Sequence, residues 1–172
     1  MVTMRPMAPL DLALVSRWLA EPHVARWFTP ESTAEVELAK YRQRVEDPHG
    51  KTVMRVVELS GRPVGWCQWY RWDDDPGAAS AIGAGTGEVG ADYALGEPDA
   101  IGHGVGTAMI AALVEEVRRL HPVAGLVIAP EAGNRASCRV LEKNGFQLVD
   151  ARPLATEPHD RPMAIYRLSA PV

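Results

Sequence analysis

Three glycines at alternate positions, in Ile101-Gly102-His103-Gly104-Val105-Gly106-Thr107, stand directly before a stretch with helical periodicity. Glycine at every second residue loses too much backbone entropy to suit the inside of a strand or a helix, but it suits a loop whose main chain must approach a ligand. Where such a loop runs into a helix, the first-turn N–H groups lack intrahelical partners and the helix dipole adds partial positive charge. The chemistry on offer is anion binding, with a phosphate as the natural guest. No Lys-Ser/Thr follows to hold terminal phosphates and magnesium, and the glycines do not have dinucleotide-binding spacing. A tight strand-to-helix connection with no ligand accounts for the same three residues equally well.

Composition narrows the setting. A chain of 172 residues with 47% hydrophobic content can bury one substantial core, which predicts a single domain over 1–172. No apolar run approaches membrane-spanning length, and Met1-Val2-Thr3-Met4-Arg5-Pro6 lacks the charged and apolar regions of a signal peptide, so the expected compartment is the cytoplasm. Cys67 and Cys138 belong to no paired metal or redox motif and are expected as small core residues. A formal net charge of −4 argues against nucleic acid as a partner and is compatible with a cationic small molecule.

The elements that must hold the glycine loop follow from periodicity. Beyond Gly106 a helix is expected, with Met109, Leu113, Val117 and Leu120 on one stripe, and His121-Pro122 stops it. Pro9-Leu10-Asp11 opens an earlier helix with Leu12, Val15, Trp18 and Leu19 on its apolar face. A second helix is expected from Thr29-Pro30-Glu31 to about Val45, with Val36, Leu38, Tyr41 and Val45 inward; His23 to Phe28 is a short connecting segment. Strands are expected at Thr3–Met7, Val53–Leu59, Pro63–Tyr70 and Glu88–Leu95, the last leading into the glycine loop. Arg71 to Thr86 reads as a long loop. Val123–Ile128 reads as a strand buried on both faces, parallel to Glu88–Leu95 through a right-handed crossover. Asn134 caps a last helix, Gly145 ends it in a left-handed conformation, and strands follow at Phe146–Leu154 and Met163–Leu168.

This order of elements, the glycine loop, and Asn134-Arg135-Ala136-Ser137-Cys138-Arg139-Val140-Leu141-Glu142-Lys143-Asn144-Gly145-Phe146 resemble the GNAT superfamily of acetyl-CoA-dependent N-acetyltransferases. Within it the chain is similar to the aminoglycoside 6′-N-acetyltransferase branch. That likeness rests on Asp11-Leu12-Ala13, Trp18-Leu19, His23-Val24 and Trp27, on Gly61-Arg62-Pro63-Val64-Gly65 with Gln68 and Tyr70, and on Gly90-Ala91-Asp92. The resemblance implies an α/β GNAT fold: a mixed, mostly antiparallel sheet of about seven strands with a central parallel pair, flanked by about four helices. It implies acetyl-CoA as cosubstrate and no metal. The backbone of Gly102, His103, Gly104, Val105, Gly106 and Thr107 would hold the CoA pyrophosphate, Tyr93, Ala94 and Leu95 would run beside the pantetheine, and Asn134 would hydrogen-bond that arm.

For the transfer itself, an aliphatic amine is mostly protonated at neutral pH and needs a proton acceptor close by. The resemblance assigns that task to Asp92. Glu88, four residues earlier and so on the same strand face, is expected to share it through water. A backbone N–H near Ala94 or Leu95 would meet the charge that develops on the thioester oxygen. Transfer is expected to be direct, in a ternary complex, since Cys138 lies in a helical repeat beside Val140 and Leu141. An aminoglycoside is a polycation with flat apolar faces, so its site should combine carboxylates with aromatic rings. Trp27, Trp66, Gln68, Asp92 and Asp160 are the expected acceptor contacts, with Trp69, Tyr70, Trp72 and Asp73 to Asp75 as a further supply.

Four positions depart from the family pattern. Ala129 and Leu141 stand where an Asp and a Tyr are typical, and Arg26 stands where an acidic residue is common; Ile101 also replaces a usual Arg or Gln. These leave room for other acceptors: a lysine-like amine, a siderophore precursor or a protein amine. A CoA-binding relative without turnover, or a nucleotide-binding module, would use the glycine loop alone. Homodimers are frequent in the superfamily, but no segment here visibly encodes one.

Overall fold

The computed structural model describes residues 1–28, 33–47 and 49–171. Seven strands form one mixed sheet in the order β1-β2-β3-β4-β5-β7-β6, with β1 Val2–Pro6, β2 Thr52–Leu59, β3 Arg62–Arg71, β4 Val89–Leu95, β5 Leu126–Ile128, β6 Gln147–Arg152 and β7 Met163–Leu168. Six α-helices occur among the described residues: α1 Leu12–Leu19, α2 Pro22–Phe28, α3 Ala34–Glu46, α4 Pro76–Ile82, α5 Val105–Leu120 and α6 Arg135–Lys143. The chain divides into two compact units, residues 1–69 with 92–112 and residues 70–91 with 113–172. Strands β3 and β4 and helix α5 contribute residues to both.

In the first unit, α1 buries Leu12, Val15, Trp18 and Leu19, the stripe that its spacing predicts, against Tyr41 of α3, Met54 and Val56 of β2 and Trp66 of β3. The Trp18 and Trp66 rings lie 6.0 Å apart and 5° from parallel, and Phe28 and Tyr41 tilt against Trp66 at 5.4 and 6.2 Å. Trp18 Nε1 donates to Glu97 Oε1 at 2.8 Å, and the Arg17 guanidinium meets the same carboxylate. Close approach explains two glycines: a Cβ at Gly96 would fall 2.0–2.4 Å from the Trp18 ring, and one at Gly65 would fall 2.2 Å from the Ala94 carbonyl oxygen. At the entrance to α1, Arg5 donates to both oxygens of the buried Asp11 at 2.7 and 2.8 Å and to Glu58 at 2.8 Å. The paired guanidinium and the Ala8 amide hold the Asp11 carboxyl below its ordinary value.

In the second unit, β5 is buried throughout and pairs antiparallel with β7, Leu126 opposite Leu168 and Ile128 opposite Tyr166. Its parallel pairing with β4 is one rung, Val89 opposite Leu126. Trp72, Ile82, Val127, Leu154, Met163 and Ile165 form the core here, and Trp72 Nε1 donates to the Val127 carbonyl at 3.1 Å. Asn134 Oδ1 accepts from Ser137 N at 3.2 Å as the N-cap of α6, and Gly145, at φ +82°, closes the helix as expected. Strand β6 pairs antiparallel with β7 and bulges at Val149, since Leu148 faces Tyr166 while Asp150 faces Ile165.

The structure differs from the expected elements in three places, and one further expectation falls outside the described residues. His23 to Phe28 is part of a helix, α2. The supposed loop 71–86 carries a single 3-10 turn and α4, started by Asp75 Oδ1 accepting from Ala78 N at 3.0 Å with Pro76 at the first helical position. The expected start of α3 at 29–31 lies outside the described residues; the helix runs from Ala34 with Thr33 as N-cap. Strand β5 begins at Leu126 rather than Val123, which is 86% exposed in a turn closed by Ala124 N donating to His121 O.

The two kinds of glycine predict unequal penalties. Gly96→Ala forces a methyl into the Trp18 ring and should cost about 1–3 kcal/mol, whereas Gly61→Ala meets no atom and only strains a φ of +82°, costing about 1 kcal/mol. Urea unfolding of both variants checks the order.

Candidate active site

Asp92 lies on β4 and accepts a hydrogen bond on Oδ2 from Gln68 Nε2 of β3 at 2.7 Å. Gln68 is itself buried, 5% exposed, and its Oε1 accepts from Arg44 Nη1 of α3 at 2.8 Å. The Arg44 guanidinium lies 5.7 Å from the centre of the Tyr41 ring. Tyr41 is buried one turn before Arg44, and Glu37 lies one turn before Tyr41, so the three share a face of α3 by their i, i+4, i+7 spacing. Glu37 also accepts from Lys40 at 2.8 Å.

Charge follows from this crowding. Asp92 keeps part of its surface open to solvent, yet protein surrounds it closely enough that burial pushes its carboxyl above the usual carboxylate range. The Gln68 hydrogen bond and the Arg44 charge pull it back, and Glu37 adds to the rise. Burial, with Asp92 and Glu37 nearby, also raises the Tyr41 hydroxyl above its ordinary value. A carboxylate poised in this way holds a proton more readily than a surface Asp.

The strand then leads into the glycine loop. His23 Nε2 donates to the Leu95 carbonyl at 2.9 Å, and Gly96 N and Glu97 N both donate to Val64 O, at 2.8 and 3.1 Å. After a 3-10 turn at Pro98–Ala100 the chain reaches Gly102 and Gly104, with φ of +84° and +79°, where an added Cβ would meet nothing within 4 Å. At the start of α5, Ala108 N donates to Gly104 O at 3.1 Å. Val105 and Gly106 are the first two residues of α5, at the positive end of its dipole, where backbone N–H groups have no partner within their own helix.

Comparison with known proteins agrees with this arrangement. The family model for the acetyltransferase (GNAT) domain matches residues 8–154. The chain belongs to the GNAT acetyltransferase family. Its donor is the family's acetyl-CoA, and its fold is the family's α/β fold, with β4 and β5 as the parallel pair. Aminoglycoside N(6′)-acetyltransferase type 1 of Klebsiella pneumoniae is 28% identical to this enzyme over 160 residues, covering 85% of this chain and 74% of that protein. The crystal structure of aminoglycoside acetyltransferase AAC(6′)-Ib with coenzyme A and kanamycin superposes with a TM-score of 0.78 at 25% identity, covering 98% of this chain and 95% of that one. The same enzyme with ribostamycin and coenzyme A gives 0.78 at 27% identity, covering 98% and 93%.

Of the residues predicted for this acetyltransferase's site, the structure brings Asp92 and Gln68 into one network, with Glu37, Tyr41 and Arg44 as members that the sequence reading missed. It does not bring Glu88 there. Glu88 precedes β4, pairs with Arg167 at 2.6 Å and accepts from Gly85 N at 2.6 Å, so its carboxylate is committed to the second unit. Trp66 is also corrected: it is 0% exposed in the aromatic pile of the first unit and offers no face to a ligand. Trp69 and Trp72 are buried as well, and Asp73 and Asp75 are occupied locally, Asp73 by Gly87 N and Arg71 and Asp75 by the α4 cap. Trp27 is half-buried with the Arg26 guanidinium 4.6 Å above its ring. Asp160 is exposed between His159 and Arg161, both of which meet Glu131. Tyr93, Ala94 and Leu95 are half-buried on β4, His103 is exposed, and Thr107 lies in the first turn of α5. Asn134 spends its oxygen on the α6 cap, while Leu141 is 0% exposed and Ala129 packs against the second core. Among the described residues no group of three or more His, Cys, Asp or Glu side chains could hold a metal ion, and no helix is long and apolar enough to cross a membrane.

Because the folded-state pKa of Asp92 lies above the unfolded one, its ionised form costs stability above the unfolded-state pKa, and that cost disappears as pH falls below it. Asp92→Asn keeps a side-chain oxygen for Gln68 without the charge. Its melting temperature should exceed the wild type's at pH 7, with the gap closing toward about pH 4; thermal unfolding across that range checks both points.

Proposed function

We propose that this acetyltransferase moves the acetyl group of acetyl-CoA to a primary amine of an aminoglycoside, with Asp92 receiving the amine proton. The carrying observation is the partly open, crowded Asp92 carboxylate, held by Gln68 and flanked by the second carboxylate of Glu37. The relatives named for aminoglycoside acetylation support this acceptor. Two negative groups beside the Tyr41 face suit an ammonium-bearing sugar. The acceptor enters as an ammonium and loses one proton to the Asp92 carboxylate; its nitrogen bonds to the acetyl carbon as the carbon–sulfur bond breaks, and the second proton on that nitrogen leaves through solvent to the released thiolate. CoA departs as the thiolate, which does not require a proton to leave, so the buried Leu141 at the family's tyrosine position is compatible with turnover.

The glycine loop accounts for the donor. The amides at 102–107 would cradle its pyrophosphate, as the unobstructed Gly102 and Gly104 allow. Tyr93, Ala94 and Leu95 on β4 would run beside the amide-bearing pantetheine. Asn134 would offer its amide nitrogen to the same arm, since the oxygen serves the helix cap.

A second acceptor class has its own support. Arg26 covers Trp27, Arg44 belongs to the Asp92 network, and Ala129 supplies no carboxylate. Such cations oppose a polycation and suit an amine that carries its own carboxylate, as lysine or a siderophore precursor does.

Thiol release from acetyl-CoA with kanamycin, ribostamycin and lysine separates the two. Turnover is expected with an aminoglycoside, and Asp92→Asn should lower kcat/KM by about a hundredfold or more. Release with lysine alone would transfer the assignment to the second class. Gly104→Val, which puts a branched side chain at φ +79° beside the pyrophosphate, should weaken acetyl-CoA binding at least tenfold by calorimetry, on the order of 1.4 kcal/mol.

A further inference from the structure

The hydrogen-bond sequence from α3 to β4 has a direction that chemistry imposes. A guanidinium only donates and a carboxylate only accepts. A glutamine between them can satisfy both in one orientation alone, with Oε1 toward Arg44 and Nε2 toward Asp92, and these contacts are 2.8 and 2.7 Å. The flipped amide would set oxygen against carboxylate and N–H against guanidinium. Gln68 is too buried for water to relieve that conflict. Gln68 donates to Asp92 Oδ2, and among the described residues no side-chain hydrogen bond reaches Asp92 Oδ1.

We propose that Arg44 is a positioning residue of this acetyltransferase: it locks the Gln68 amide so that Gln68 restrains Asp92 Oδ2 and presents Asp92 Oδ1 to the incoming amine. This deepens the reading of Asp92 as the proton acceptor and rests on it. Arg44 is itself held by the face of α3 that carries Glu37 and Tyr41, its guanidinium lying over the Tyr41 ring. Among the described residues the groups that act on Asp92 are Glu37, Tyr41 and Arg44 from α3 and Gln68 from β3. Within that set Arg44 is the single cation. Removing it frees the amide to rotate and withdraws the charge that favours the carboxylate, so both the orientation and the proton affinity of Asp92 depend on one side chain.

The test follows the Asp92 carboxyl carbon directly, by nuclear magnetic resonance titration of aspartate-labelled full-length protein, with Asp92→Asn to assign the signal and amide spectra to verify folding. Arg44→Gln should raise the Asp92 midpoint by about one pH unit, a tenfold gain in proton affinity, and shift the acidic limb of the kcat/KM profile equally. Arg44→Lys, which keeps a donor and a charge, should restore most of it. In a Gln68→Leu background the Arg44→Gln shift should fall below half its size. An unchanged midpoint in Arg44→Gln overturns the proposal, and so does an equal shift in both backgrounds, which would reduce Arg44 to a distant field. Absence of turnover with every amine, alongside the expected midpoints, would sustain the positioning role and instead remove Asp92 from acetyl transfer.

Discussion

Trp18 and Trp66 lie face to face at 6.0 Å, and the first unit is assembled around that pair. Trp18 comes from α1 and Trp66 from β3; Tyr41 of α3 and Phe28 of α2 press on the second ring. The first ring occupies the space that a side chain at position 96 would need, and its Nε1 holds Glu97. Three helices, one strand and the end of β4 are therefore indexed to one aromatic pile. Removing a buried ring of this kind typically costs about 3–5 kcal/mol. The same packing fixes α3, hence where Glu37, Tyr41 and Arg44 stand relative to Gln68. An acceptor carboxylate can be kept within a few tenths of an ångström only if its supports cannot move, and stacked indoles that share no polar contact to renegotiate are a stiff support.

Electrostatics in the first unit show a division of labour between two aspartates. Asp11 has a bidentate guanidinium and a backbone amide, so ionisation is favoured and the residue serves to join β1 to α1. Asp92 has a neutral amide and a guanidinium one residue further away, so crowding outweighs its partners. One carboxylate is satisfied by its donors and the other under-compensated, although both are surrounded by protein. The number of donors each receives decides the difference.

Much of this architecture is legible in the chain. The helical stripe of α1, the Asn134 cap, the Gly145 stop and the glycine loop each depend on local chemistry that residue type discloses, and all appear as expected. The misreadings have a common cause, since each turns on which neighbour a side chain meets. Trp66 belongs to a β3 buried from Val64 to Trp69, so alternation could not separate its inner from its outer face. Glu88 shares a strand phase with Asp92 but meets Arg167, distant in sequence. Helix α4, three of whose seven residues are alanine, offers no apolar period, although Asp75-Pro76 is a sound start signal. Glu37 and Arg44 lie off the apolar positions that make α3 legible in sequence, and carry charge one turn to either side of the buried Tyr41.

The bulge in β6 has a bearing on how the molecule coexists with copies of itself. The strand closes one end of the sheet, and Leu148 and Val149 are 55% and 54% exposed. A flat apolar edge of that kind is a template on which another chain can continue the ladder. Here the extra residue at Val149 breaks the register, increases the local twist, and is followed by the charged pair of Asp150 and Arg152, 2.8 Å apart. The outermost strand is thereby a poor primer for fibril growth. Deleting that one residue would straighten the edge, and the colloidal behaviour of the protein would change before any property of its active site did.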